Sequence, residues 1–485
     1  MADFEMETRY DHEKESEIYT RWEKSGYFNP DECVKGGFTE PDAEPFSLVL
    51  PPPNVTGTLH IGHAFEDTVQ DVVIRYERMR GRRTLWIPGT DHAAIATQSK
   101  VEKILEKEGI KRNDLGREEF LKRVNLFAKE SHDTIVKQIK RLGASLDWSR
   151  EAYTLDEKRS LSVRAAFKKM YDLGLIRRDF RVVNWDPKGQ TTISDDEVVY
   201  IERKAKLYTF RYDKNFPVSI STTRPETKFG DVAVAVHPSD KRYEELVGKK
   251  YHPDFFGVTL NVEIIADETV DKDFGTGAVG VTPAHSMTDL EIAKRHNLSW
   301  GQVIDERGKM MIGPEGVRNE KTEKARQTVV DRLRSAGLLE KEEEIDQNVA
   351  TAERSGGVIE PLTKVQWFIM VNKKFKVEVG KFKGEQKTLK ELMREAVSDD
   401  GVEIVPERFK KIYFNWIDNL HDWCISRQIW FGHRIPVWYR GDIKQDSLLS
   451  QSDLSRDDKD IRVVVEPPEG DDWVQDTDTL DTWFS

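Results

Sequence analysis

Residues 51–63 read PPPNVTGTLHIGH, and the fold can be read outward from them. Just before them, the apolar run Phe46–Leu50 predicts a short buried strand, which three prolines end because proline cannot donate to a sheet ladder. Just after them, Ile61, Ala64, Phe65, Thr68, Val69, Val72, Val73 and Tyr76 recur at three- and four-residue spacing, predicting an amphipathic helix that packs on a sheet. A second short strand, Thr84–Ile87, and the loop PGTDH (88–92) follow. Strand, helix, strand and loop in this order form a parallel βαβ unit, so the fold class is α/β. His60 and His63 are three residues apart and share one helix face. Thr58 is the expected N-cap, and the free N–H groups of the helix start favour an anion. Gly62 would let a flat ligand lie close to the backbone, and the two imidazoles could donate hydrogen bonds to phosphate oxygens. The alternative is a pair of ordinary surface histidines; the strand, proline break and helix around them favour the phosphate site.

The 485 residues imply two to four domains. Residues 10–28 predict a helix with Ile18, Tyr19 and Trp22 at helical spacing, ending near Gly26. Charged helical sequence fills most of 97–143 and 156–178. From about Lys206 to Thr282 the texture changes to short strands: Leu207–Tyr212, Val218–Ser221, Val232–Val236 and Val258–Ile265. This predicts a β-rich, barrel-like insertion. Helices return at 288–297 and 320–336, the acidic run Glu340–Asp346 reads as an exposed link, and mixed α/β sequence resumes to Ser485. The expected domains are 1–205, 206–350 and 351–485, with 441–460 a surface loop and no internal repeat.

No stretch approaches the roughly 18 to 20 apolar residues that cross a membrane, and Met1–Tyr10 lacks the features of a secretory signal. A soluble, cytoplasmic protein is expected. Cys33 and Cys424 lie far apart, so neither a disulfide framework nor a cysteine metal site is implied. The net charge of −12 argues weakly against nucleic acid. Arg78, Arg80, Arg82 and Arg83 form a basic cluster that could still meet phosphates, or simply be a solvated helix end.

The segment HIGH (60–63) matches the signature of class I aminoacyl-tRNA synthetases, and PPPNVTGTLHIGHAF resembles the valine–tRNA ligase branch of that family. PGTDHAAIATQ (88–98), DWCISRQIWFGHRIPVWY (422–439) and DTLDTWFS (478–485) point the same way, and the resemblance runs from residue 10 onward. It implies a Rossmann-like catalytic domain, interrupted by an editing domain, that joins valine to its tRNA through a valyl-adenylate. The implied partners are valine, tRNA and ATP with Mg2+ as substrate, with no protein-bound metal and a monomeric enzyme. By resemblance, Thr58, His60, Gly62 and His63 would hold ATP, with the two histidines stabilising the triphosphate. Asp91 would pair with the valine ammonium, and Pro52, Asn54 and Trp483 would line the side-chain pocket. Asp91 read alone could be a turn aspartate, and Trp483 plain core. Arg427 and His433 fall beside the implied site with no role assigned. Ala94 stands where the family usually has glycine.

A valine pocket rejects threonine poorly, only about a hundredfold, a limit for which valine enzymes are themselves the standard example; a second, hydrolytic site is the remedy. TTRPET (222–227) and FGTGAVGVTPAH (274–285) with Asp289 resemble the family's editing signatures. They imply Thr222, Thr223, Arg224, Thr227, Phe274, Thr282, His285 and Asp289 as editing residues. Hydroxyls would read the substrate's OH, Asp289 would bind the ammonium, and Arg224 or His285 would steady the tRNA end or a water. The threonines alone could equally be strand residues. Gly280 stands where valine enzymes generally carry lysine, and Ser286 where they carry aspartate. The resemblance further implies that the family's later KMSKS loop, anticodon-binding domain and coiled coil are not in this chain, so that adenylate formation would be inefficient while hydrolysis could persist. Competing readings are a small nucleotidyltransferase, which would need no β-rich insertion, a non-catalytic tRNA-binding or editing module, and an isoleucine-type ligase, which Asn54 and PGTDH disfavour.

Overall fold

The computed structural model describes residues 11–399, 401–440 and 460–484. The βαβ unit forms as read. Strand Pro45–Val49 pairs in parallel with strand Arg83–Ile87 in the register Phe46↔Thr84 to Val49↔Ile87, and helix Ile61–Met79 connects them. A second parallel pair, Gly89–Thr90 with Ala152–Tyr153, continues directly from the second strand. Leu50, Ile74 and Trp86 meet Ile135, Ile139 and Leu146 in a core beneath this unit.

Two expectations here are corrected. The first strand is not buried: Val49 is exposed, and only Phe46 and Leu48 are half-covered. More unexpectedly, helix Ile61–Met79 turns its apolar stripe outward, with Ile61 85%, Phe65 73% and Met79 86% exposed and Val69, Val72 and Tyr76 also exposed. It is the other face, with Asp67, Ile74 and Glu77, that is buried. Specific polar bonds hold that face. The Trp86 indole N–H donates to Gln70 at 3.1 Å. Asp71 accepts from the backbone N–H of Ser145 at 2.9 Å, and Arg78 donates to the Ser145 carbonyl at 2.7 Å.

Helices Glu15–Lys24, Ala94–Lys107, Arg112–Arg141 and Glu157–Asp172 fall where helical sequence was read. Strands Ile176–Asp186 and Glu360–Ile369 then pair antiparallel over ten positions. Beyond them, strand Val198–Phe210 pairs antiparallel with Leu339–Ala352 in one long ribbon, which carries the chain out to residues 211–338 and back. The acidic run 340–346 is therefore a strand, not a link. Its charge is met across the ribbon, where Lys204 faces Asp346, Lys206 reaches Glu342 and Arg211 bonds Glu340.

Residues 211–338 contain an open four-stranded sheet, in the order 250–251, 262–266, 233–236, 278–281. The sheet has free edges at both ends, so the barrel expected from its alternation is not closed. Phe210, Tyr212, Phe216, Phe229 and Phe255 form an aromatic core beneath it, sealed by helix Thr322–Ser335 through Ala325, Val329 and Leu333. The loop expected at 441–460 lies outside the described residues except for Asp460. Among the described residues no helix is long and apolar enough to cross a membrane.

Candidate active site

The loop after the first strand and the loop after the second are stitched together. The Asp91 N–H donates to the Pro53 carbonyl at 2.9 Å, and the Val55 N–H donates to the Asp91 carbonyl at 2.9 Å. Asn54 thus sits opposite Asp91, and Pro52 lies close to Gly89. Both loops leave the carboxyl ends of parallel strands, where open α/β sheets place ligands.

The helix N-cap is His60, not Thr58. His60 Nδ1 accepts from the Gly62 N–H at 3.1 Å, and His63 Nδ1 accepts from the His60 N–H at 3.2 Å. Each ring thereby spends its Nδ1 lone pair on backbone, so in the neutral form each carries its proton on Nε2. The rings lie 3.9 Å apart, His60 exposed and His63 half-buried. Burial and the neighbouring His60 hold His63 below its ordinary pKa. The result is two Nε2–H donors side by side at a helix start. Gly62 has a reason that the sequence did not reveal: a Cβ there would meet the His60 ring at 2.9 Å, so glycine permits the cap itself.

Asp91 is mostly buried, and its hydrogen bonds among the described residues all fall on Oδ1. The Ala93 N–H donates at 3.0 Å and the Thr154 hydroxyl at 2.9 Å, with His92 Nδ1 at 3.3 Å. Burial pushes this carboxyl up, but the bonds from His92, Ala93 and Thr154 outweigh it and hold Asp91 below the usual carboxylate range. Ala93 adopts a left-handed φ of +44° to make its bond, the kind of local strain that persists when surroundings fix it. The Ala94 methyl is fully buried and would lie 3.2 Å from any Cβ at Gly432, which packs behind the loop.

Thr154 is the residue that the sequence did not flag. Its hydroxyl donates to Asp91, so it must accept from both the His92 N–H, at 2.9 Å, and His92 Nδ1, at 2.6 Å. That leaves His92 Nε2 as a buried acceptor without a partner. His433 now has a place: its Nε2 donates to the Thr154 carbonyl at 2.9 Å, and its ring stands edge-on to His92. Burial, then His92, pushes the His433 pKa down to about 4. No local pattern announces Thr154, because only the pairing of 152–153 with 89–90 brings it to Asp91.

In the lobe at 211–338 the two segments read together do meet. A Cβ at Gly275, beside the exposed Phe274, would lie 2.7 Å from Ser221, the neighbour of Thr222. The hydroxyls divide into two groups. Thr222 and Thr223 are half-exposed; Thr222 Oγ1 accepts from the Arg224 N–H, and Thr223 Oγ1 accepts from Gln347. Thr227 and Thr282 are buried and point inward, donating to the Arg224 carbonyl at 2.9 Å and to Asp231 at 2.5 Å. Arg224 is tied to Glu360 at 2.6 Å and lines a groove of about 900 Å³ with Thr223, Arg326 and Gln347. His285 is enclosed. Its Nε2 accepts from the Val303 N–H at 2.9 Å and its Nδ1 donates to the Pro361 carbonyl at 3.1 Å. Burial, reinforced by Arg224, pushes its pKa down to about 3, so it is a neutral structural pin with no nitrogen left for a water or a tRNA end. Asp289 is half-buried and accepts from the Thr282 N–H at 2.8 Å, while Ser286 caps its helix.

A family model described as tRNA synthetases class I (I, L, M and V) matches residues 17–485. The chain belongs to this family. Among class I relatives, the valine–tRNA ligase of Carboxydothermus hydrogenoformans is 46% identical over 477 residues, 98% of this chain and 50% of that protein. The valine–tRNA ligase of Pseudothermotoga lettingae is 43% identical over 482 residues, 99% of this chain and 52% of that one. That of Protochlamydia amoebophila is 45% identical over 448 residues, 91% and 44% respectively. The chain thus spans about half the length of the curated relatives it matches. Family membership makes the placement of the last segment informative. Strand 479–480 pairs with 426–427, and the Leu480 N–H donates to the His433 carbonyl at 2.7 Å, so the segment bearing Trp483 runs beside the turn that backs Asp91. Arg427 is fully buried and anchors that segment through Asp481, whose Oδ1 accepts from the Trp483 N–H at 3.0 Å. Trp483 itself is 75% exposed, so it is not core. Among the described residues no cluster of three or more His, Cys, Asp or Glu is placed to hold a metal ion.

Proposed function

We propose that this chain carries the amino-acid-activating and editing parts of a valine–tRNA ligase. In this reading valine's carboxylate attacks the α-phosphate of ATP, which enters with Mg2+, and pyrophosphate leaves. The Nε2–H groups of His60 and His63 donate to the triphosphate as its charge shifts, and their Nδ1 atoms, already used by the backbone, hold both rings in donor form. Pro52 and Asn54 face the valine side chain, with Trp483 closing the pocket from the opposite segment. The lobe carried on the long ribbon hydrolyses threonyl-tRNA, with Asp289 meeting the ammonium, and the half-exposed Thr222 and Thr223 reading the substrate hydroxyl.

The observation that supports this most is the one-sided bonding of Asp91. The Ala93 N–H and the Thr154 hydroxyl both donate to Oδ1, with His92 Nδ1 close by, which fixes the carboxylate and leaves Oδ2 for an ammonium in a largely dry setting. The test is calorimetric titration with a non-hydrolysable valyl-adenylate analogue. Asp91→Asn keeps the acceptor for Thr154 but removes the charge, and should weaken binding about a hundredfold. Equal affinity of the two proteins, or tighter binding of the isoleucyl analogue, would overturn the reading.

A further inference from the structure

The buried Lys228 lies between the two halves of the editing signature, and no step above uses it. Its ammonium has three acceptors: Asp231 Oδ1 at 3.2 Å, the Gly280 carbonyl at 2.8 Å and Thr282 Oγ1 at 2.8 Å. Three N–H donors meet three acceptors, so the charge is fully satisfied away from water. Asp231 is equally engaged, accepting from Lys228, from Thr282 and from the Tyr212 hydroxyl. Gly280 is the space in which this cluster exists. A Cβ there would fall 2.2 Å from Asp231 Oδ2 and 2.8 Å from the Tyr212 hydroxyl. The cluster ends on Thr282, and Thr282 reaches outward through its backbone N–H, which donates to Asp289 Oδ2.

We propose that Lys228 is a positioning residue of the hydrolytic lobe: with Asp231 it clamps Thr282 from the side chain, and Thr282 in turn holds the Asp289 carboxylate toward the substrate ammonium. The role given to Asp289 rests on the editing reading above, whereas the clamp on Thr282 stands on the geometry alone. It accounts for the missing side chain at residue 280, since the Asp231 carboxylate and the Tyr212 hydroxyl that complete the cluster occupy the space a Cβ there would need.

The test compares the whole chain with Lys228→Met and with Lys228→Met/Asp231→Asn, the second removing the buried charge that the first leaves unpaired. Hydrogen exchange of the Thr282 amide is read by NMR, with the Val234 amide, in the sheet whose strand 278–281 leads into Thr282, as an internal control. The Thr282 amide is expected to exchange about tenfold faster in both variants, Val234 staying protected in the double variant. The KM for threonyl-tRNA hydrolysis should rise about tenfold, with kcat changed less. Thr282 protection unchanged in a folded double variant would overturn the clamp. If instead Thr282 loosens but neither the Lys228 variants nor Asp289→Ala alters hydrolysis, the clamp stands and the role given to Asp289 falls.

Discussion

Two helices of this molecule have equally plain apolar stripes and turn them in opposite directions. Helix Thr322–Ser335 presents Ala325, Val329, Val330 and Leu333 to the aromatic core of the lobe. Helix Ile61–Met79 presents Ile61, Phe65, Val69, Val72, Tyr76 and Met79 to solvent and buries Asp67 and Glu77. The first obeys the ordinary logic of burial, and the second is held by bonds among Gln70, Asp71, Arg78, Trp86 and Ser145. A stripe read from spacing therefore says that one face is apolar, but not which side the rest of the chain occupies.

The contrast can be broken by mutation. Leu333→Ala should cost about 3 kcal/mol in urea unfolding, from lost transfer energy and the cavity left behind. A loss below 1 kcal/mol would mean that the helix is not packed as described. A second effect comes from pH. His285 is neutral when folded, with its pKa pushed down to about 3, while in the unfolded chain it takes a proton near its ordinary value of 6.5. The unfolded state thus binds the extra proton between these values, so stability falls as pH drops from 6.5 toward 3, at most about 1.4 kcal/mol per unit from this group. His433, pushed down to about 4, adds in the same direction over a narrower window. Thermal unfolding of His285→Gln should show a shallower acid slope than the unaltered chain; parallel slopes would refute the enclosed, neutral imidazole. The smallest effect belongs to the outward stripe, where Val72→Ser should change stability by under about 0.5 kcal/mol. A loss of 2 kcal/mol there would show that this face is covered in solution.

Much of the candidate site was legible because its signals are local. The strand–proline–helix order placed His60 and His63 at a helix start, and the second loop placed Asp91 at a strand end. What misled was equally local. The threonines of 222–227 and 282 look alike in sequence, yet Thr222 and Thr223 remain half-exposed while Thr227 and Thr282 turn inward. Thr227 turns in to the Arg224 carbonyl of its own turn, but Thr282 turns in to Asp231, a partner brought to it from a distant part of the chain. The acidic run 340–346 suggested a solvated link because Lys204, Lys206 and Arg211, which meet it across the ribbon, lie more than a hundred residues away.

By itself the sequence determined the family, the parallel βαβ unit, the long helices and the segments that carry the chemistry, because periodicity, capping and short motifs act within a few residues along the chain. The tertiary structure alone decided that Thr154 locks Asp91, that His285 is sealed and neutral, that Lys228 stands behind Thr282, and that the helix after the histidines faces outward. Each of these depends on a hydrogen bond or a packed face contributed by residues distant in sequence, and no local pattern encodes the direction from which such a partner arrives.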